Sequence, residues 1–223
     1  MYFRVVYLTY VMNVFEIPLS FVKVFLIETK EGLILVDSGT PGNGKKIVTE
    51  ITRLGKSLDD VKYVVFTHSH GDHIGSAHEL KDILPDAKFG IESSGVSYLQ
   101  EGKIRNPVLH SSLQKFLFGL ARPFIVRGFK GTKVDLELKD GKLVEGVEIM
   151  KTPGHTSDSI SIYLPEIGSV IVGDMLQGTK RGLKYPNIYE DFEELKRSVE
   201  RIKKLKPKMV YVSHGVSSSE FLV

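Results

Sequence analysis

The stretch THSHGDHIG, residues 67–75, decides the fold, because it places three histidines and an aspartate within six consecutive positions. The run before it, VKYVVFT (61–67), is short, continuous and apolar, a pattern typical of a strand buried on both faces. The histidines therefore begin where a buried strand ends. Functional side chains are commonly carried on loops of this kind, which a rigid scaffold holds in place.

The spacing inside this stretch suits metal binding. His68 and His70 are two residues apart, and on a strand that spacing puts both imidazoles on one face. Asp72 and His73 follow in a turn, where Gly71 lets the backbone bend tightly. The chain thus presents two neighbouring pairs of ligands, which are too few for two metal ions. This hypothesis predicts more histidines and a bridging carboxylate at the ends of other strands.

Three further loops supply such groups. TPGHTSDS holds His155 after a Pro-Gly turn, VIVGDM ends an apolar strand in Asp174, and VYVSHG ends another in His214. A single histidine is far more often structural than a ligand, so the joint placement of five histidines and two aspartates carries the prediction. The remaining two histidines, His78 on a predicted helix and His110 in a basic segment, are predicted not to bind metal.

The composition limits the class of protein and the chemistry of the site. With 223 residues, 42% of them hydrophobic, the chain is expected to form one α/β domain over residues 1–223. The absence of cysteine excludes disulfides and thiolate ligands. A net charge of +3 is too small to favour wholesale nucleic-acid binding. No run reaches the roughly 18 apolar residues of a membrane span, so a cytoplasmic enzyme is expected, and the scarcity of Asn, Gln and Cys would suit a thermophile.

Each half of the chain is predicted to contain strands and a helix. The start MYFRVVYLTYVMNVF is predicted to be a first strand rather than a signal peptide, and FVKVFLIET and GLILVDSGT a hairpin. Ile47, Ile51 and Leu54 mark an amphipathic helix. In the second half, four apolar runs read as strands around a helix at about 191–205. Two such halves suggest two sheets between layers of helices.

The stretch 92–133 is the least regular and is predicted to be a basic, partly helical lid or insertion. Within it four apolar residues at helical spacing form a stripe, namely Leu113, Phe116, Leu117 and Leu120. The sequence is compatible with three roles for this stripe, which are a lid, a dimer face and part of the core. Between 101 and 133 only Glu101 opposes seven basic residues, namely Lys103, Arg105, Lys115, Arg122, Arg127, Lys130 and Lys133.

Together these motifs resemble the metallo-β-lactamase superfamily. THSHGDHIG is similar to its His-x-His-x-Asp-His signature, and the similarity continues through LVDSGTP, TPGHTSDSISIYLP, VGD and the final SHG. The resemblance implies an α/β, four-layer αββα sandwich of two mixed β-sheets flanked by helices, with the site along one edge of the sheets. It also implies that His68, His70 and His155 bind a first metal ion. Asp72, His73 and His214 would bind a second ion, and Asp174 would bridge the two.

The resemblance further implies a glyoxalase II-like, dinuclear metal hydrolase. Two cations about 3.5–4 Å apart can share a hydroxide, so a metal-bridging hydroxide is predicted to cleave an ester-type bond in a thioester, lactone or phosphoester. Asp72 is the candidate catalytic residue, which would hold the nucleophile or move its proton. Two Zn²⁺ per chain are expected, although iron and manganese accept the same ligands.

Further residues are assigned by their position. Asp37 in LVDSG is expected to orient ligands or neighbouring loops from behind, with a simple turn residue as the alternative. The substrate is expected to be a small anionic molecule, provided that basic side chains of the 101–133 segment line the mouth of the site, namely Arg105, Lys115, Arg122 or Arg127. The basic side chains that follow the strand ending in Asp174 are the better candidates for contact with it. The residues predicted to contact the substrate are Lys180, Arg181, Lys184, Tyr185 and Tyr189. The phenols of Tyr185 and Tyr189 could face a developing oxyanion.

Other functions stay open beside the favoured hydrolase. A mononuclear-iron enzyme resembling the persulfide dioxygenases would share the fold and overlapping ligands. A ribonuclease or RNA-binding member of the same fold would use the basic segment, and RNA is the less favoured partner. A flavin-linked di-iron reductase is disfavoured, because that branch usually carries Glu where His70 stands. A homodimer is also left open.

Overall fold

The computed structural model describes residues 11–126 and 128–223. Within those residues a first sheet contains six strands in chain order: β1 (Asn13–Pro18), β2 (Lys23–Thr29), β3 (Gly32–Val36), β4 (Val61–Val65), β5 (Lys88–Glu92) and β6 (Leu136–Leu138). Strands β1 to β3 pair antiparallel, and β3 to β6 pair parallel. The sheet is therefore mixed.

The second sheet, in the same described part of the chain, has five strands: β7 (Gly141–Val144), β8 (Val147–Lys151), β9 (Ile160–Leu164), β10 (Ser169–Ile171) and β13 (Met209–Tyr211). Their order is β13-β10-β9-β8-β7, with only the β10–β13 pair parallel. A separate hairpin joins β11 (Gln177–Thr179) to β12 (Gly182–Lys184). Since β8, β10 and β13 run in the same direction, their carboxyl ends share one edge.

Helices cover the outer faces of both sheets. The helices are α1 (Gly44–Arg53), α2 (Gly71–Ile74), α3 (Ala77–Ile83), α4 (Val96–Glu101), α5 (Ser112–Val126) and α6 (Phe192–Lys204). Ile47 and Ile51 of α1 pack with the first sheet, and Leu195 and Val199 of α6 pack with the second. The predicted αββα arrangement of two mixed sheets is therefore confirmed.

The central strands show why their runs are continuously apolar. On β2, Val24 and Leu26 contribute to the core beneath the helices, whereas Phe25 and Ile27 contribute to the core between the two sheets. Side chains alternate across a strand, so a strand covered on both faces needs apolar residues at every position. At the end of β4, Val64 belongs to the core beneath the helices and Val65 to the core between the sheets, whereas Lys62 near its start is exposed. The opening stretch therefore follows residues that are buried on both faces.

Some predictions change in detail. The first strand begins at Asn13, and residues 1–10 of its predicted span lie outside the described residues. Helix α5 forms where the apolar stripe predicted a helix, but the four stripe residues are 54–66% exposed, so they are not core. Their assignment to a lid or a dimer face stays a prediction, and Arg127 lies outside the described residues. No helix in the described ranges has the length and apolar character needed to cross a membrane.

Candidate metal centre

The predicted ligands come together at one edge of the two sheets. His68 follows β4 of the first sheet, and His70 caps the short helix α2. His155, Asp174 and His214 follow β8, β10 and β13 of the second sheet. Because these strand ends meet at the same edge, residues up to 146 positions apart in the chain, at 68 and 214, become neighbours.

A first group of ligand atoms belongs to His68, His70, His155 and Asp174, and these atoms all lie within 4.8 Å of one another. Nδ1 of His70 is 3.0 Å from Nε2 of His68 and 3.0 Å from Nε2 of His155. Burial, followed by repulsion from neighbouring histidines, lowers the pKa of His68 well below its usual value and that of His70 to about 3. Neutral imidazoles of this kind can turn their nitrogen lone pairs towards a cation.

A second group consists of Asp72, His73 and His214, whose ligand atoms also lie within 4.8 Å of one another. Nε2 of His214 is 3.3 Å from Oδ2 of Asp72. Burial alone would lower the pKa of both histidines, but the surrounding carboxylates, with Asp174 the largest contributor, raise that of His214 to about 10 and that of His73 well above its usual value. The carboxylates thus favour the protonated form of both histidines.

Asp174 lies between the two groups. Its Oδ1 is 3.3 Å from Nε2 of His73, and its Oδ2 is 3.3 Å from Nε2 of His214 and 3.6 Å from Nε2 of His155. Burial would raise the pKa of Asp174, but the positive charges of His214 and His73 hold it well below its usual value. One carboxylate therefore touches both sets of histidines, the arrangement expected of a bridging ligand.

The residues at this edge fit metal ions. Nε2 of His73 and Oδ1 of Asp174 lie 3.3 Å apart, and both atoms are buried without a hydrogen-bond partner among the residues that the structure describes. Buried polar atoms left unpaired are costly, and a cation would satisfy both. Imidazole nitrogen and carboxylate oxygen are donors that zinc, iron and manganese accept. Both groups are therefore candidate metal sites.

Outer contacts hold three histidines so that Nε2 faces the site. Nδ1 of His73 is 2.8 Å from Oδ2 of Asp37, Nδ1 of His155 is 2.8 Å from the carbonyl of Ile188, and Nδ1 of His214 is 2.9 Å from the carbonyl of Phe21. A proton shared at Nδ1 leaves the Nε2 lone pair free for a cation.

Asp37 is fully buried and has a φ of 66°, a left-handed conformation that aspartate tolerates better than most residues. Its Oδ1 accepts a hydrogen bond of 2.7 Å from the backbone N–H of Thr67, and its Oδ2 accepts one of 2.8 Å from the hydroxyl of Thr67. These contacts join the β3 end to the β4 end. They support a role for Asp37 in orienting His73.

The sequence placed Arg105 in the basic segment but gave no sign of its two carboxylate partners behind the first set of histidines. Arg105, Glu190 and Asp158 are drawn together there, with Nη1 of Arg105 2.8 Å from Oε1 of Glu190 and Nε 3.6 Å from Oδ1 of Asp158. Asp158 is fully buried, and its two oxygens have no hydrogen-bond partner in the described part of the chain. Nothing local in the sequence marks Glu190 or Asp158, because their partner lies more than 50 residues away.

A cavity of about 310 Å³ opens beside the ligands. Its lining consists of Phe21, His70, Gly71, Asp72, Ile104, Arg105, Pro107, Phe118, His155, Asp174, Leu176, Gln177, Pro186, Asn187, Ile188 and His214.

The five predicted substrate contacts are not among these residues. Lys180 and Arg181 are exposed at the turn of the β11–β12 hairpin, and Lys184 lies on β12. Tyr185 and Tyr189 pack against Phe192 of α6. Gln177 of that hairpin lines the cavity, and contact of the five predicted side chains with a substrate stays a prediction.

Neither His78 nor His110 joins the two groups. Nδ1 of His78 is 3.1 Å from the carbonyl of Gly131, and Nε2 of His110 is 2.9 Å from the carbonyl of Tyr189.

Known proteins match this chain in sequence and structure. The family profile described as "Metallo-beta-lactamase superfamily" matches residues 17–214. Glyoxylase B2 of Dictyostelium discoideum is 30% identical over 207 residues, covering 86% of this chain and 65% of its own length. The uncharacterized protein YobT of Bacillus subtilis is 28% identical over 162 residues, covering 70% of this chain and 62% of its own length. The chain therefore spans less than two thirds of the length of these two relatives.

A solved structure extends the match to the fold. The crystal structure of TTHA1623 in a di-iron-bound form superposes with a TM-score of 0.63 at 23% identity, covering 88% of this chain and 89% of that one.

Proposed function

The chain belongs to the metallo-β-lactamase superfamily, and from that premise we propose that it is a glyoxalase II-like hydrolase with two metal ions that cleaves an ester-type bond. The thioester, the lactone and the phosphoester are the candidate bonds. The observation that carries the proposal is the position of Asp174, whose two carboxylate oxygens contact histidines of both ligand groups. A single ion in the first group would leave the contacts of Asp174 with His73 and His214 without a role in metal binding.

The chain's own residues divide the work of such a site. His68, His70 and His155 would hold the first ion, while Asp174 would hold both. Asp72, His73 and His214 would hold the second. Bound there, the two ions would supply a hydroxide nucleophile near neutral pH and positive charge for the developing oxyanion.

Asp72 is the proposed catalytic residue. Its carboxylate lines the cavity, and its Oδ2 lies 3.3 Å from Nε2 of His214. A carboxylate at the cavity wall can hold the attacking water by a hydrogen bond and pass its proton towards the leaving group. No side chain is then needed as a nucleophile.

Zinc is the proposed metal, because buried imidazole and carboxylate donors suit it. Iron is the alternative, since the matched structure with this fold is a di-iron-bound form. A cytoplasmic location, a thermophilic source, a homodimer and a single domain with a lid at 92–133 stay predictions.

Elemental analysis tests the dinuclear site. The purified protein is compared with the Asp174→Ala variant and with His78→Ala, whose histidine lies outside both ligand groups. We expect about two zinc ions per chain in the parent protein and in His78→Ala, and a clear loss in Asp174→Ala. One metal ion per chain in the parent protein would contradict the proposal, and a single iron would favour the mononuclear-iron oxygenase. The loaded protein is then assayed with a thioester, a lactone and a phosphodiester.

A further inference from the structure

The cavity walls beyond the metal ligands are mainly apolar. Gln177 and Asn187 supply uncharged polar groups, and, apart from the metal ligands, Arg105 is the one cationic side chain among the described residues that line the cavity. The remaining side chains are hydrocarbon or aromatic, namely Phe21, Ile104, Pro107, Phe118, Leu176, Pro186 and Ile188. A charged group of a substrate would therefore meet little that compensates for its lost hydration.

The charge of Arg105 is already paired. Its Nη1 donates to Oε1 of Glu190 at 2.8 Å and to the hydroxyl of Ser157 at 3.0 Å, and its Nε lies 3.6 Å from Oδ1 of Asp158. The side chain is only 11% exposed. Two carboxylates thus face one guanidinium, so Arg105 has no spare positive charge for an anionic ligand. Arg105 therefore contributes to the structure of the cavity wall and does not bind the charge of a ligand.

Helix α5 contributes one wall through Phe118. Gln114 and Phe118 are spaced four residues apart and are half-buried, while the residues between them are exposed. The amide of Gln114 donates to the carbonyl of Asn187 at 3.1 Å, and Nε2 of His110 donates to the carbonyl of Tyr189 at 2.9 Å. These bonds attach the start of α5 to the loop at 187–189, and this attachment holds Phe118 at the cavity.

We propose that this cavity selects substrates with an uncharged, apolar acyl chain and discriminates among them by chain length. The inference rests on the proposed hydrolase, and it replaces the expectation of an anionic substrate with one that the cavity wall supports. A volume of about 310 Å³ is at the small end of ligand pockets, which suits a short to medium chain. Burial of each added methylene is expected to strengthen binding about threefold to fourfold until the cavity is full.

Two measurements test the inference. First, kcat/KM of the zinc-loaded protein is measured on p-nitrophenyl esters with straight acyl chains of two to eight carbons, and on esters of equal length that carry a carboxylate at the far end of the chain. We expect kcat/KM to rise about threefold to fourfold per methylene, and the carboxylated esters to react at least tenfold more slowly. A flat profile, or faster reaction of the carboxylated esters, would overturn the inference.

Second, binding of neutral straight-chain amides to the metal-free protein is measured by calorimetry. This arm does not depend on catalysis. Tighter binding with each methylene, combined with no hydrolysis of any ester, would contradict the hydrolase and leave the apolar cavity standing. Hydrolysis of the esters, combined with amide binding that does not depend on chain length, would support the hydrolase and overturn the inference of an apolar acyl-chain cavity.

Variants on α5 supply the matched comparison. Phe118→Ala removes a cavity wall, so we expect at least a tenfold loss of kcat/KM for the longest chain and little change for the shortest. Phe118→Arg places a free cation at the same position and should favour the carboxylated esters. Phe116→Ala changes an exposed side chain of the same helix and should leave the whole profile unchanged. Equal effects of Phe116→Ala and Phe118→Ala would also overturn the inference.

Discussion

Nη1 of Arg105 donates a hydrogen bond of 2.8 Å to Oε1 of Glu190, and this pair ties together the two loops that carry His70 and His155. The backbone N–H of Arg105 donates to the carbonyl of Ser69, beside His70. The backbone N–H of Glu190 donates to the carbonyl of His155. Two histidines of the first ligand group therefore depend on one ion pair outside that group.

Loss of this pair should weaken the first metal site. We expect Arg105→Lys to lower the affinity for the first ion by about 10- to 100-fold, the effect usual for partners behind a metal ligand, because a lysine cannot reach Glu190, Ser157 and Ser69 at once. Chelator competition measures the affinity. Lys103→Ala, which removes an exposed pair with Glu101, is the control. Equal affinities in Arg105→Lys and the parent would show that the pair does not position the ligands.

Substitution of Asp37 should lower the affinity for the second metal ion and leave the affinity for the first ion unchanged. In Asp37→Asn the amide oxygen can keep a bond from Thr67, and asparagine tolerates the left-handed backbone at φ 66°. The negative charge that faces Nδ1 of His73 is lost, however, so we expect the second ion to bind about 10- to 100-fold more weakly. Stepwise titration with cobalt, followed by visible absorption, separates the two ions. Weakening of both ions to the same extent would indicate a general structural defect.

Gly154 sets the position of the His155 loop. A side-chain carbon at Gly154 would lie 2.2 Å from the backbone nitrogen of Leu195, and its φ of 130° suits glycine alone. We expect Gly154→Ala to lower the free energy of unfolding by about 2–3 kcal/mol and to weaken the first ion. Gly119→Ala, with open space on α5, should be neutral or slightly stabilising. Urea unfolding measures both, and equal stabilities of the two variants would contradict the prediction.

Glu92, which is not one of the metal ligands, makes the stability of the fold depend on pH. Burial alone would raise the pKa of Glu92, but hydrogen bonds from Lys151, Ser94 and Ser93 outweigh it and lower the pKa to about 2. The folded pKa lies below the unfolded value of about 4.3, so this stabilisation is complete above that value and disappears as the pH falls from about 4 to 2.

We therefore expect Glu92→Gln to cost about 2 kcal/mol at pH 7 and to have a smaller effect at pH 3. Thermal unfolding of parent and variant from pH 7 to pH 3 gives the difference. Glu101→Gln, at an exposed ion pair, should change little at any pH. A cost for Glu92→Gln that stays constant across this range would mean that the carboxylate charge does not contribute.

The sequence alone determined the layers and the candidate ligands. Backbone covered on both faces needs apolar residues at every position, so the centre of β2 (24–27) and the end of β4 with the residue after it (64–66) stand out as continuous apolar runs. A metal site built on strand ends needs histidines and carboxylates beside glycine turns, and the short motif from His68 to His73 shows that pattern within six residues. Both features are local, and local features can be read along a chain.

Only the tertiary structure decided which other side chains reach the site. The charge of Arg105 is paired by Glu190, which is 85 positions away, and no periodicity links the two. The apolar stripe on α5 points to solvent, while Phe118 on the other face of that helix lines the cavity. The basic hairpin residues that follow Asp174 lie outside the cavity. Contacts between distant elements depend on how the layers pack, and that packing has no counterpart in the spacing of residues along the chain.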